Sequence, residues 1–117
     1  MKAALARVLP AAAGLAAALA VAVPAQAAAT VGHLTGTDGP SFTITMSAKS
    51  VKAGTYVITI HDKSNIHNFH LTGPGVNKKT SVGGVGTSTW TVTLKKGTYT
   101  FVCDPHATIM KGTLKVT

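Results

Sequence analysis

The sequence predicts an all-β protein with the architecture of a Greek-key antiparallel β-sandwich. Two observations point to this class. Short segments after residue 40 alternate apolar and polar residues with a period of two, and turns rich in Gly, Pro, Asp and Lys separate them. Many of the polar positions are β-branched Thr, which favours strands. Six or seven strands in about 90 residues can bury their apolar faces only if two sheets stack.

Residues 1–27 differ in composition from the rest of the chain. Two basic residues precede an apolar, Ala-rich run from Leu9 to Val23, and small residues close the segment at Ala25-Gln26-Ala27. This pattern is typical of a secretory signal peptide. A retained membrane anchor is the weaker alternative, because the run is short and no stop-transfer charges follow it. We expect cleavage after Ala27, which exports residues 28–117 to the periplasm or the cell exterior.

The predicted strands follow one another along residues 28–117. Residues 28–36 supply the first strand, although Val31 and Leu34 do not alternate cleanly. Residues 72–88 carry no strong pattern, so we expect a long loop there with a short edge strand. The positions predicted to face inward on the other strands are, in chain order, Phe42, Ile44 and Met46; Tyr56, Ile58 and Ile60; His67, Phe69 and Leu71; Trp90, Val92 and Leu94; Tyr99, Phe101 and Cys103; and Gly112, Leu114 and Val116.

The mature domain is basic. Nine Lys oppose three Asp, which gives a formal net charge of +6. Such a surface favours acidic protein partners or an anionic membrane surface. Nucleic acid is a poorer partner for an exported chain whose lysines are scattered and whose mature part has no Arg. A purely solubilising role of the lysines explains the same charge equally well.

The chemistry-bearing residues cluster in one predicted turn. Cys103, His106 and Met110 bring a thiolate, an imidazole and a thioether within eight residues, between two strands. Strand parity directs Cys103 and Met110 inward, and His67 has the same inward parity on an earlier strand. Two His and one Cys with a weak axial Met form the ligand set of a blue-copper electron-transfer site. Zinc fits this set less well, since it favours four strong ligands.

Taken singly, these residues also fit other roles. Cys103 is the only cysteine, so no disulfide can form within the chain, and taken alone it would suit an inert buried thiol. A Cys-His nucleophile needs an orienting third group and an accessible thiol, and neither is apparent. His67 could be a core histidine and Met110 a core packing residue. The convergence of all four favours a metal site.

The motifs His67-Asn68-Phe69 and Gly97–His106, followed by Met110, resemble the cupredoxins, closest to the plastocyanin and pseudoazurin type, over residues 40–117. The resemblance implies that His67, Cys103, His106 and Met110 bind one copper ion that cycles between Cu(I) and Cu(II). It further implies that Asn68 braces the cysteine loop by hydrogen bonds and that His106 is the electron port. Three residues separate His106 from Met110, where plastocyanin-like proteins have four and amicyanin-like ones have two, so the subfamily stays open.

Together these features predict an exported, monomeric type 1 copper protein that is not an enzyme. It would shuttle single electrons between redox partners that are acidic at the contact surface, without nucleic acid and without a membrane span after cleavage. Two alternatives are an extracytoplasmic copper carrier or copper-stress binding protein, and a metal-free β-sandwich used as an interaction module.

Overall fold

The computed structural model describes residues 30–117, and the predicted signal peptide, residues 1–27, lies outside the described residues. Within residues 30–117, no helix is long and apolar enough to cross a membrane. The described chain forms nine strands and one 3-10 helix: β1 (Gly32–Asp38), β2 (Ile44–Met46), β3 (Ser50–Val51), β4 (Gly54–Asp62), β5 (His70–Gly73), β6 (Val76–Lys79), β7 (Gly86–Leu94), β8 (Gly97–Val102), the 3-10 helix Asp104–His106, and β9 (Lys111–Val116).

The strands form two sheets, with the orders β2-β1-β4-β7 and β3-β9-β8-β5-β6. The predicted all-β sandwich is therefore confirmed. Two strand pairs, β1–β4 and β3–β9, run parallel, whereas every other pair is antiparallel as predicted. Alternation of apolar residues shows which face a side chain occupies but not the direction of the neighbouring strand, so the sequence could not reveal these two pairs.

The core lies between the two sheets and is built from the inward positions of the long strands. Ile58 and Ile60 of β4 are fully buried, and the threonines of β7 point outward. Phe69, which directly precedes β5, and Phe101 on the neighbouring β8 stack with their ring centroids 5.5 Å apart. This stack forms a rigid apolar floor next to the chain segments that carry the predicted ligands.

Three local predictions are refined by the structure. The first strand begins at Gly32, and its inward residues are Leu34, Gly36 and Asp38. Gly36 gave no apolar signal because a Cβ there would lie 2.7 Å from the side chains of Ile60 and Phe69. The segment 72–88 does hold a short edge strand, β6. Phe42, predicted to face inward, is 53% exposed, because it precedes β2 and is not held by the strand alternation.

Candidate metal centre

Adjacent strand ends bring the predicted ligands to one end of the sandwich. His67 lies three residues before β5, Cys103 directly follows β8, and Met110 directly precedes β9. Because β5, β8 and β9 are neighbours in one sheet, these three chain positions meet at the same end of the strands. His106 lies on the 3-10 helix between Cys103 and Met110.

The turn from Cys103 to Met110 closes on itself through backbone hydrogen bonds. The Cys103 amide donates to the Met110 carbonyl at 3.0 Å, and the His106 amide donates to the Cys103 carbonyl at 3.0 Å. The Met110 amide in turn donates to the His106 carbonyl at 2.8 Å. Pro105 lies in the first turn of the 3-10 helix, where its fixed φ costs little. The backbone therefore holds this ligand-bearing turn in one shape.

Three donor atoms face one another at the centre of the site. The Nδ1 atoms of His67 and His106 are 3.1 Å apart, and the Cys103 Sγ lies 3.7 Å from the former and 3.5 Å from the latter. A point equidistant from the three atoms is about 2.0 Å from each, close to the bonds of about 2.0–2.3 Å that zinc, a comparable first-row ion, makes with imidazole and thiolate. The triangle fits a single metal ion.

The burial of the donors also fits a metal. His67 and Cys103 are fully buried, and His106 is partly exposed. The other ring nitrogen of His67, Nε2, is buried without a hydrogen-bond partner among the described residues. The side-chain polar contacts of this ring are therefore with the sulfur and the second imidazole. A soft thiolate with two imidazoles is a donor set that suits copper.

Met110 is fully buried below the same turn. Its backbone is hydrogen-bonded both to Cys103 and to His106, so its position is tied to two of the three clustered donors. The structure thus brings His67, Cys103 and His106 together as donors and places Met110 next to two of them in the backbone network.

Asn68 connects the two chain segments of the site. Its Oδ1 accepts the backbone N–H of Asp104 at 2.8 Å, and its Nδ2 donates to the Asp104 carboxylate at 2.8 Å and to the Thr80 carbonyl at 3.2 Å. Its backbone N–H donates to the Cys103 Sγ at 3.4 Å. These bonds are the bracing that the resemblance implied for Asn68, and they fix the cysteine against the His67 segment.

His70 is a residue that sequence reasoning missed. The predicted inward positions His67, Phe69 and Leu71 leave His70 on the outer face, yet its Nδ1 lies 2.8 Å from the Asp104 carboxylate. Burial disfavours the charged ring, but the hydrogen bonds to Asp104 and Asn77 and the charge of Asp104 outweigh it and raise the pKa of His70. Burial likewise opposes ionisation of Asp104, but His70 and Asn68 outweigh it and lower its pKa. The sequence signal that could have indicated this contact is an aspartate directly after Cys103, in a turn next to the His67 segment.

Phe42 covers the outer side of the site. Its ring meets the rings of His67 and His106 edge to face, with centroids 5.1 Å and 4.9 Å away. Ile66 and Ile109 are also largely exposed and belong to the chain segments that carry these two histidines. The partly exposed His106 therefore packs against one exposed apolar ring, and the chain segments of the site carry two more exposed apolar side chains.

A second carboxyl group lies buried at this end of the other sheet. Asp38 and Asp62 are cross-strand neighbours at the ends of β1 and β4, and neither Asp38 oxygen has a hydrogen-bond donor among the described residues. Burial, together with the neighbouring Asp62 carboxyl group, raises the pKa of Asp38 to about 7. The following residue, Gly39, is positioned so that a Cβ would lie 3.2 Å from the His67 ring.

Comparison with known proteins agrees with this geometry. The family model "Copper binding proteins, plastocyanin/azurin family" matches residues 31–117. Among solved structures, reduced rusticyanin at 1.9 Å resolution is 24% identical over 74% of this chain and 79% of its own, with a TM-score of 0.58. Rusticyanin from Thiobacillus ferrooxidans is 23% identical over 74% of this chain and 77% of its own, with a TM-score of 0.57.

The likeness to the rusticyanins establishes the shared fold. Among curated proteins, none matches this sequence. The family model spans nearly every described residue, including the three clustered donors. The chain therefore belongs to the plastocyanin/azurin family of copper-binding proteins, its cofactor is copper, and it is a blue copper protein of the cupredoxin class.

Proposed function

We propose that this protein is an exported type 1 copper protein that carries single electrons between redox partners, with His67, Cys103, His106 and Met110 as the ligands of one copper ion. The observation that carries the proposal is the triangle of two imidazole nitrogens and one thiolate sulfur, with sides of 3.1–3.7 Å, in a plastocyanin/azurin-type domain. A trigonal His2Cys site with a weak axial thioether is the blue-copper arrangement.

Bound copper supplies a one-electron change between Cu(II) and Cu(I). The contribution of the chain is to keep the donors in nearly one arrangement in both states, so that little reorganisation accompanies each electron. The closed turn from Cys103 to Met110, the Asn68 bonds and the Phe69–Phe101 stack supply that rigidity. Met110 suits the axial role because its thioether is buried and its backbone is bonded to Cys103 and His106.

His106 is the proposed route for electrons. Of the three clustered donors, it alone is not fully buried, and Phe42, Ile66 and Ile109 give its surroundings an apolar surface. A partner can approach such a surface closely without desolvating charges. The lysines of this basic domain would attract partners that are acidic around their contact surface, which makes the contact fast and sensitive to salt.

The remaining parts of the proposal concern export and chemistry. A signal peptide ending at Ala27 would deliver residues 28–117 outside the cytoplasm, as a monomer. Within residues 30–117, one cluster of three or more His, Cys, Asp or Glu donors is present, and it consists of the proposed ligands His67, Cys103 and His106. A single site of this kind suits electron transfer better than catalysis on a bound substrate.

The test is the visible spectrum of the protein after expression of the full chain and export in a bacterial host. Cu(II) should give an intense charge-transfer band that ascorbate bleaches and reoxidation restores, and the intact mass should correspond to cleavage after Ala27. Cys103→Ser should abolish the band, whereas His33→Gln, an exposed histidine at the far end of β1, should retain it. Absence of the band, or oxidation of the thiol by copper, would contradict the proposal.

A copper carrier is distinguished by metal exchange. A shuttle should retain its copper through repeated oxidation and reduction in the presence of a Cu(I) chelator. Loss of copper within the first reduced interval would favour the carrier over the shuttle.

A further inference from the structure

The His70 ring is held between two hydrogen-bond acceptors. Its Nδ1 lies 2.8 Å from Asp104 Oδ1, and its Nε2 lies 2.7 Å from Asn77 Oδ1. A neutral imidazole has one N–H and can donate only once, whereas the imidazolium has two. Both contacts are satisfied together only when the ring is protonated, so the geometry calls for a cation at this position.

The charges around His70 favour the same state. Asp104 faces the ring from the 3-10 helix, while β6 contributes Asn77 and the cation Lys79, which opposes protonation. On the remaining side, β8 contributes the uncharged Val102. The carboxylate is the closest charged group, and its bond to the ring is short. The pair is only partly exposed on the His70 side, so solvent screens it incompletely.

The Asp104 carboxylate connects His70, through Asn68, to the predicted ligand Cys103. One of its oxygens is bonded to His70 and the other accepts from the Asn68 side chain at 2.8 Å. The Asn68 Oδ1 accepts a hydrogen bond from the Asp104 backbone N–H, and the Asn68 backbone N–H donates to the Cys103 Sγ. The sequence His70, Asp104, Asn68, Cys103 is therefore a continuous path of hydrogen bonds that ends at the sulfur.

We propose that His70 is a positioning residue that raises the reduction potential of the copper site by neutralising Asp104 and holding the Asn68 N–H on the Cys103 sulfur. This inference rests on the proposed function, and it adds a residue outside the ligand set. Without the imidazolium, an uncompensated carboxylate next to Cys103 favours the oxidised state. A loosened N–H···S bond stabilises the sulfur less in the reduced state, so both effects lower the potential.

The central experiment compares the midpoint potential of three copper-loaded proteins at pH 6: wild type, His70→Gln and His33→Gln. The glutamine at position 70 can keep one hydrogen bond but removes the positive charge. We expect its potential to shift downward while the charge-transfer band persists, and we expect His33→Gln to match wild type. Adding Asp104→Asn to His70→Gln removes the uncompensated carboxylate and should reverse part of the shift.

A second readout needs no copper. In nitrogen-proton NMR of the copper-free protein, the second ring proton of His70 should persist to a higher pH than that of an ordinary histidine, whose pKa is about 6.5, because both ring nitrogens face hydrogen-bond acceptors. This measurement is made on wild type, so it does not depend on whether a variant folds. Loss of the second ring proton of His70 at or below about pH 6.5, the ordinary pKa of histidine, would overturn the inference.

The outcomes separate the two proposals. If the wild-type protein shows its blue band and His70→Gln has an unchanged potential, the role of His70 is overturned while the proposed function stands. If the wild-type protein has no band, the proposed function fails and the potential-setting role fails with it. A downward shift in His70→Gln that Asp104→Asn partly reverses supports the inference.

Discussion

The two ends of the sandwich differ in whether their buried polar atoms have hydrogen-bond partners. At the end away from the metal centre, the Tyr99 hydroxyl accepts the Lys95 N–H and donates to the Pro74 carbonyl, both at 2.9 Å. At the metal-centre end, the donor atoms of His67, Cys103 and His106 face one another, and the buried Asp38 oxygens face no donor among the described residues. One end is complete without a ligand, and the other is arranged around one.

This difference separates stability from function along the long axis of the strands. A satisfied buried polar group supports the folded state, whereas a buried group without partners costs free energy unless a ligand or proton compensates it. We therefore expect substitutions at the Tyr99 end to change the free energy of unfolding and leave the copper spectrum intact. Substitutions around Asn68 should change copper binding more than they change the free energy of unfolding.

The largest effect on stability is expected for Tyr99→Ala. The Tyr99 side chain is fully buried and lies against Gly73, where a Cβ would overlap its ring. Its removal should lower the free energy of unfolding by about 3–5 kcal/mol, as for other large aromatic truncations. The conservative Tyr99→Phe removes only the hydroxyl and its two hydrogen bonds and should cost about 1–2 kcal/mol.

Chemical denaturation of the copper-free proteins measures both Tyr99 values, and the copper spectrum of each folded variant provides the control. The spectrum of Tyr99→Phe should match that of wild type in band position and intensity. A changed band would mean that the two ends are coupled through the core and that the proposed separation is wrong.

Asn68→Ala should have a smaller effect, and it should appear at the metal. The substitution removes the three side-chain hydrogen bonds that tie the His67 segment to Asp104 and Thr80. Loss of residues that orient metal ligands typically lowers metal affinity about 10–100-fold. Competition with a chelator of known copper affinity measures the change. A matched control is Asn77→Ala on β6, which contacts His70 but not the ligand-bearing segments, and it should alter copper affinity far less.

The sequence was sufficient to predict that His67, Cys103 and His106 come together, because turn spacing and strand parity fix where they lie. Cys103 and His106 are three residues apart on one turn, and strand parity placed His67 on the same interior side. Strand neighbours within one sheet then bring the segments together. The spacing of residues in a turn and the parity of a strand can be read from the sequence without knowledge of the rest of the fold.

The contacts made sideways across the sheet could not be predicted in this way. His70 was assigned to solvent by parity, which is correct for the face but says nothing about Asp104 and Asn77 beside it. Phe42 lies before its strand, so alternation did not govern it, and it covers two histidines instead of entering the core. The hydroxyl bonds of Tyr99 depend on which turns meet at the far end, and alternation does not encode that.

The last prediction concerns the buried carboxyl pair, which sharpens the comparison because it belongs to the metal end yet affects the free energy of unfolding, in a way that disappears at low pH. The pKa of Asp38 is about 7 in the folded protein against an ordinary value of 3.8. Between these values the folded state holds a proton that the unfolded state releases. The contribution of Asp38 to stability is therefore complete below about pH 4 and is lost as pH rises through about 7.

Asp38→Asn should remove this dependence, because its amide can donate to Asp62 at every pH. We expect the copper-free variant to be more stable than wild type by roughly 1–3 kcal/mol at pH 8, with the two proteins converging towards pH 4, as one pKa unit corresponds to about 1.4 kcal/mol. Urea denaturation of both proteins across this range measures the difference, and Asp62→Asn should reproduce part of it. If the free energies of unfolding of wild type and Asp38→Asn change with pH in parallel, the buried carboxyl pair holds no extra proton and this prediction is wrong.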